Sequence, residues 1–269
     1  MLEKQKKDVK ALALISGGLD SQLAAKLVLD QGLNVVGVNY TTGFTTEEGD
    51  ELFDLIEEDL GIKIGRPSVD EEKYLEMIKH PNHGYGSAVN PCLDCRILVL
   101  REAKRYMKEI SADFVVTGEV LGQRPMTQRQ DTMKMIKDES GLGNRLLRPL
   151  SAKLLSPTLP EEKGWINRDE LLDIEGRSRK VQLELAERHG INNYSQPAGG
   201  CLLTEEQFGH RLKELFDRRG KESVAPEEVK LLRHGRHFRL GEGAKAIIGR
   251  NKEENHKLSK LSSDSWIVQ

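Results

Sequence analysis

Apolar and polar positions divide the first two-thirds of the chain into blocks of two lengths. Short apolar runs fall at 11–15, 33–38, 62–64 and 113–117. Between them lie longer segments with helix-spaced apolar residues, such as 48–60 with Leu52, Leu55, Ile56 and Leu60. Unbroken short runs suit strands covered on both faces, and the longer segments suit the crossovers between them. Helices are predicted at about 22–30, 70–79 and 92–109. Together these elements predict an α/β fold with a doubly wound parallel sheet. Ligands of such sheets bind beyond the carboxyl ends of the strands, where both Ser16 and Thr117 fall.

The pattern changes after Arg148-Pro149-Leu150. Prolines 157 and 160 mark an irregular stretch, a helical region is predicted at about 167–189, and a loop at 194–200. A helix over 205–218 leads to a linker at 221–226. The tail, with one helix signal and strand-like runs at 237–240 and 244–248, predicts a small α+β module. No internal repeat is visible. This organisation predicts a catalytic domain at 1–204 and a helix plus small basic module at 205–269, with RNA as a candidate partner.

With 269 residues the chain can bury a full core. The formal charge of −2 conceals a gradient: −7 over 1–80, +2 over 81–204 and +3 over 205–269, so the basic tail gives modest support to RNA contact. No stretch is apolar for the 18 or so residues of a membrane span. The charged start, Met-Leu-Glu-Lys-Gln-Lys-Lys-Asp, lacks the apolar core of a secretory signal. The expectation is a cytoplasmic protein with no membrane partner. Three cysteines, an odd number in a reducing compartment, argue against a disulfide framework.

The most informative stretch is Ser16-Gly17-Gly18-Leu19-Asp20-Ser21, set between a predicted strand and a predicted helix. Two glycines let the backbone approach an oxyanion closely. The N–H groups and positive dipole end of the helix then suit phosphate. The alternative is an ordinary turn with Asp20 or Ser21 as N-cap. The spelling fits neither the Walker loop nor the dinucleotide G-x-G-x-x-G.

Cys92 and Cys95 lie three apart at the start of a predicted helix, with Arg96 adjacent. Dipole and guanidinium both favour thiolate there. Cys201 follows Gly199-Gly200, where the backbone can bend closely around a group. Inert packing, a structural zinc, a redox pair or persulfide relay, and an iron–sulfur cluster on three thiolates all remain open. A three-thiolate 4Fe–4S cluster leaves one iron open for a ligand such as hydrosulfide, unless Asp94 fills that position.

The Ser16–Ser21 spelling resembles the SGG-x-DS signature of the PP-loop ATP pyrophosphatases, and Thr117-Gly118-Glu119-Val120-Leu121-Gly122-Gln123 with Thr127-Gln128 resembles a motif of the tRNA 4-thiouridine synthetase catalytic domain. The Leu147–Leu150 run and Cys201 fit that family's order of motifs. The resemblance covers roughly residues 10–205. The tail, with Ala246–Asn251 and Glu254-Asn255, resembles an NFACT-R module. The expectation is a chain without the RNA-binding THUMP domain and the rhodanese-like domain of longer family members.

The resemblance implies an ATP-dependent tRNA sulfurtransferase that adenylates a base carbonyl oxygen and replaces it with sulfur. ATP would contact Ser16, Gly17, Gly18, Asp20, Ser21, Gly118 and Gln123, with Mg²⁺ on Asp20. Some thiolation enzymes of the superfamily use a three-cysteine 4Fe–4S cluster, which here implies Cys92, Cys95 and Cys201 as ligands. The catalytic set is then Asp20 with the three cysteines. Arg124, Arg129, Arg145 and Arg148 form a cationic set for phosphates. Inorganic sulfide or a sulfur-donor protein would supply sulfur, and the tail could instead be a homodimer surface. The alternatives are sulfur insertion into a small molecule, a persulfide relay without a cluster, and an RNA-binding or redox-sensing protein with a relic nucleotide site.

Overall fold

A computed structural model describes residues 6–44, 50–195, 200–241 and 243–261. The chain divides into two compact units: Met1–Thr41 with Glu47–Val69 and Cys92–Gly199, and Thr42–Thr46 with Asp70–Pro91 and Gly200–Gln269. In chain order the elements begin β1 (Lys10–Leu14), α1 (Leu19–Leu29), β2 (Asn34–Val38), α2 (Asp50–Leu60), β3 (Ile64–Gly65) and α3 (Glu71–Lys79). Next come α4 (Cys92–Glu109), β4 (Phe114–Val116), α5 (Gln130–Glu139), β5 (Leu146–Leu147), α6 (Leu159–Glu162) and α7 (Lys180–His189). The series ends with α8 (Glu206–Arg219), α9 (Pro226–Leu231), β6 (Arg236–Leu240), β7 (Ala244–Ile248) and α10 (Lys252–Leu261).

The first unit is built on a five-stranded sheet of order β3-β2-β1-β4-β5, and every pair in it is parallel. Side chains of β1 alternate between two apolar layers, as a period of two requires. Ala11, Ala13 and Ile15 join Leu19, Leu23 and Val28 of α1, whereas Leu12 and Leu14 join Ile97, Leu100 and Ala103 of α4. The chain runs from β1 outward through β2 to β3, then returns to the other side of β1 for β4 and β5. The direction of winding therefore reverses between β1 and β4, and their carboxyl ends open a crevice.

Most predicted elements appear with small changes at their ends. Residues 48–49 of the predicted helix at 48–60 lie outside the described residues. So do 196–199, most of the loop predicted at 194–200 and the Gly199 half of the glycine pair before Cys201. The helical region predicted at 167–189 is corrected: only Lys180–His189 is α-helical, with a single 3₁₀ turn at Arg168–Glu170. The backbone between them is committed elsewhere. Leu172 N donates to Pro149 O, Ile174 N to Leu150 O and Gly176 N to Leu121 O, the last at 2.7 Å, so helical i to i−4 pairing has no free partners there.

The second unit holds α3, α8, α9, the antiparallel β6–β7 hairpin and α10. Residues 70–91, which follow the sheet elements in the sequence pattern, belong to it rather than to the sheet unit. Phe44 stacks on Tyr74 at 5.3 Å between ring centroids and meets Phe208 edge-on at 6.1 Å. Glu214 of α8 accepts from Arg239 at 3.0 Å and from Lys245 at 2.7 Å, tying the hairpin to the helix.

Phe114 is fully buried on β4 beside Ala11. Phe114→Ala is expected to destabilise the protein by about 3–5 kcal/mol, read as a lower urea midpoint at unchanged slope.

Candidate functional site

The turn after β1 is held open by its own side chains. Gly17 adopts φ +83°, a conformation that disfavours a side chain. Ser21 Oγ donates to Gly18 O at 2.7 Å and accepts from Ser16 N at 3.1 Å, closing the turn on itself. The N-cap of α1 is Gly18, and no side chain caps the helix. The alternative in which Asp20 or Ser21 serves as a plain N-cap is thereby corrected. Ser21 bonds backward into the turn, and the first-turn N–H groups carry no capping side chain.

Asp20 points to the neighbouring loop. Gln123 Nε2 donates to Asp20 Oδ2 at 2.7 Å, while Asp20 Oδ1 is buried and has no hydrogen-bond partner among the described residues. A buried carboxylate oxygen in that condition calls for a water or a cation. The loop that delivers Gln123 follows β4 and is fixed at several points. Leu121 N donates to Ser151 Oγ at 2.9 Å, and Gly122 N, at φ +74°, donates to Gln128 O at 2.7 Å.

Gly118 brings the two loops together. A Cβ built on it would lie 2.4 Å from both the carbonyl carbon and oxygen of Asp20 and 2.5 Å from Ser21 N. Backbone cannot yield as a flexible side chain can, so only glycine allows this approach.

Beside it lies Glu119, 4% exposed. It accepts from Arg96 Nε and Arg148 Nε, each at 2.7 Å, and from Thr117 Oγ1 at 3.1 Å. Burial alone would raise its pKa, but the two guanidinium charges and their hydrogen bonds bring it from an ordinary 4.5 down to about 2. This changes the reading of three arginines. Arg148 is 4% exposed and donates also to Met133 O at 3.1 Å, so it is a buried strut and not a phosphate ligand. Arg145 donates to Asp113 O at 2.7 Å, beside the amino end of β4 and so away from the turn. Arg96, 24% exposed, shares the Glu119 carboxylate with Arg148. Arg124 and Arg129 are exposed and remain available.

Cys92 and Cys95 occupy the first turn of α4, both half-buried, and the Arg96–Glu119 pair ties that turn to the Gly118 loop. Cys201, also half-buried, precedes the 3₁₀ turn Leu202–Thr204 in the second unit. The turn residues, Gly118 and Gln123 thus form one site. Sequence reasoning missed the Glu119 triad, for which a single buried acid between two distant arginines leaves no local signal. It also missed Ser151 and Gln22. Gln22 is wholly buried and donates to Gly17 O at 3.3 Å.

A doubly wound parallel sheet with an SGG-x-DS turn at its winding reversal defines a protein of the PP-loop type. Residues 7–153 match the family model described as Thiamine biosynthesis protein (ThiI). The match covers more than half of the chain, and the chain belongs to that family. Residues 235–269 match the model described as NFACT protein RNA binding domain.

Among curated relatives, a "Probable tRNA sulfurtransferase" of Thermococcus kodakarensis is 30% identical over 143 residues, 52% of this chain and 36% of that one. The tRNA-specific 2-thiouridylase MnmA of Marinomonas sp. is 23% identical over 280 residues, 97% of this chain and 66% of that one. The chain spans between 36% and 66% of the length of these two relatives. Two solved structures are also similar. A 4-thiouridine synthetase–RNA complex with bound ATP has TM-score 0.44 and 23% identity, covering 67% of this chain and 50% of that one. The U34-tRNA thiolase NcsA of Methanococcus maripaludis, with its [4Fe-4S] cluster, has TM-score 0.42 and 17% identity, covering 91% and 79%.

Two outcomes are expected. Gly118→Ala separates the loops and destabilises the fold by about 1–3 kcal/mol, measurable by thermal unfolding. Glu119→Ala leaves Arg148 buried without a counter-charge and destabilises by about 3–5 kcal/mol. Because the Glu119 pKa is depressed in the folded state, its contribution is present above pH 4.5 and fades as pH falls towards about 2. That part of the acid limb should be absent from the stability–pH profile of the variant.

Proposed function

We propose that the chain is an ATP-dependent tRNA sulfurtransferase, acting on a carbonyl oxygen of a base. The observation that carries this reading is the Gly118 contact, which joins the phosphate-suited turn to the Gln123 loop in one site at the sheet's reversal. Family membership and the printed names of the two relatives support it.

In this reading Ser16, Gly17, Gly18 and Ser21 line the seat of the triphosphate, and the N-terminus of α1 faces its charge. Gln123 orients Asp20 through Oδ2 and leaves Oδ1 for the hard cation that accompanies ATP, a donor that fits Mg²⁺. The base carbonyl oxygen attacks the α-phosphorus, the α–β bond breaks, and pyrophosphate leaves. A hydrosulfide then attacks the activated carbon, and the C–O bond breaks with AMP as leaving group. The base must be unstacked to enter. The basic tail, with its match to an RNA-binding module, is the proposed tRNA contact.

The thiols of Cys92, Cys95 and Cys201 are soft donors suited to iron. They are the residues that would hold a [4Fe-4S] cluster, which when bound would supply an open iron for sulfide. The family description, thiamine biosynthesis, supports a second reading in which the acceptor is a small molecule.

Asp20→Asn is expected to lower ATP-dependent pyrophosphate release by about a hundredfold or more. Alanine at Cys92, Cys95 or Cys201 should abolish thiolation of bulk tRNA in vitro while leaving ATP binding intact; full activity in all three variants would refute the sulfur-handling role. Protein purified without oxygen should be brown and contain iron and sulfide. A colourless sample overturns the cluster and leaves the persulfide route.

A further inference from the structure

Residues 193–195 belong to no helix or strand, yet they are fastened to the turn. Ser195 N donates to Gly17 O at 3.0 Å, and Gly18 and Ser195 form a parallel bridge. Gln22 Nε2 donates to Asn193 O at 2.8 Å as well as to Gly17 O, so a single buried amide holds both segments. On the other side Asn193 Nδ2 donates to Asp59 Oδ2 at 3.0 Å. These contacts fix the register, and the register delivers the side chain of Ser195 to Gly18.

The open face of Gly18 shows the result. A Cβ there would lie 3.6 Å from Ser16 Oγ and 3.9 Å from Ser195 Oγ, with no other atom of the described residues, outside its chain neighbours, within 4 Å. Two hydroxyls therefore flank a glycine floor at the start of α1. Ser21 donates its hydroxyl hydrogen to Gly18 O at 2.7 Å, and Ser16 Oγ donates to Ser21 Oγ over a long 3.3 Å, a contact that a phosphate oxygen would replace. The hydroxyl of Ser195 has no hydrogen bond of its own among the described residues. Gln22 is wholly buried, and its Oε1 has no partner there either.

We infer that Ser195 is a phosphate-binding residue whose hydroxyl donates, with that of Ser16, to an oxyanion of the pyrophosphate portion of the nucleotide. This rests on the ATP reading above and extends it to a segment about 175 residues away in sequence. The chemistry is that of a charge-assisted hydrogen bond from a neutral hydroxyl to a phosphate oxygen. Removing one such bond should weaken the ligand that carries the charge and spare a ligand that does not reach the turn.

The test compares inorganic pyrophosphate and AMP as ligands of the full chain by calorimetry. Ser195→Ala should weaken pyrophosphate binding by about tenfold or more and change AMP binding less than twofold. Ser195→Thr, which keeps the hydroxyl, should recover most of the loss. Unchanged pyrophosphate binding in Ser195→Ala overturns the inference and leaves the ATP site standing. Equal weakening of both ligands, or no recovery in Ser195→Thr, also overturns it, because a merely structural role would produce that result. If the unaltered protein binds neither ATP nor pyrophosphate, the ATP reading itself falls and this inference falls with it.

Discussion

One close approach organises the site: the backbone of Gly118 against the peptide joining Asp20 to Ser21. The two segments follow β1 and β4, which pair directly, so the sheet brings their ends within reach. Reach is not contact, however. A side chain at 118 would push the β4 loop outward and carry Gln123 away from Asp20. The absence of a single Cβ therefore lets a strand pairing in the core become a pair of loops that act together.

What the glycine permits, Glu119 enforces. Its carboxylate is buried, and a buried charge persists only when it is paired and hydrogen-bonded. Arg96 enters from α4 and Arg148 from the end of β5, so three elements must converge for the charge to be tolerated. An arrangement that misplaces Glu119 or Arg148 leaves a charge uncompensated in an apolar interior. The pair thus confers specificity of arrangement more than net stability. It also links the turn that carries Cys92 and Cys95 to the loop that carries Gln123.

The sequence made the sheet readable because its strands are short unbroken apolar runs and its crossovers keep helical spacing. The turn was readable too, since glycines and serines at an element junction have few other uses. Three features escaped. The two-residue strand Leu146–Leu147 is too short for periodicity to register. The segment 171–176 carries a helix-like pattern, but its backbone bonds to residues 121, 149 and 150, and such tertiary demands override local preference. The arginines near the motif all read as phosphate ligands, although Arg148 is a buried strut. Charge at a motif shows in a sequence; the partner that neutralises it does not.

The turn also shows how a binding site is held ready without its ligand. Ser21, Gln22 and residues 193–195 immobilise it through the carbonyls of Gly17 and Gly18, so acceptors make most of the scaffold, with Ser16 N the donor it also uses. The helix carries a glycine N-cap and no capping side chain, which costs about a few tenths of a kcal/mol in stability. Asp20 keeps one buried oxygen without a donor among the described residues, which adds a further cost of about 1–3 kcal/mol. Both losses fall on groups that a phosphate and its cation would satisfy, and both are offset by the apolar layers on the two faces of β1. A turn stabilised instead through its own donors would be more rigid and more stable, and it would have nothing left with which to hold an anion.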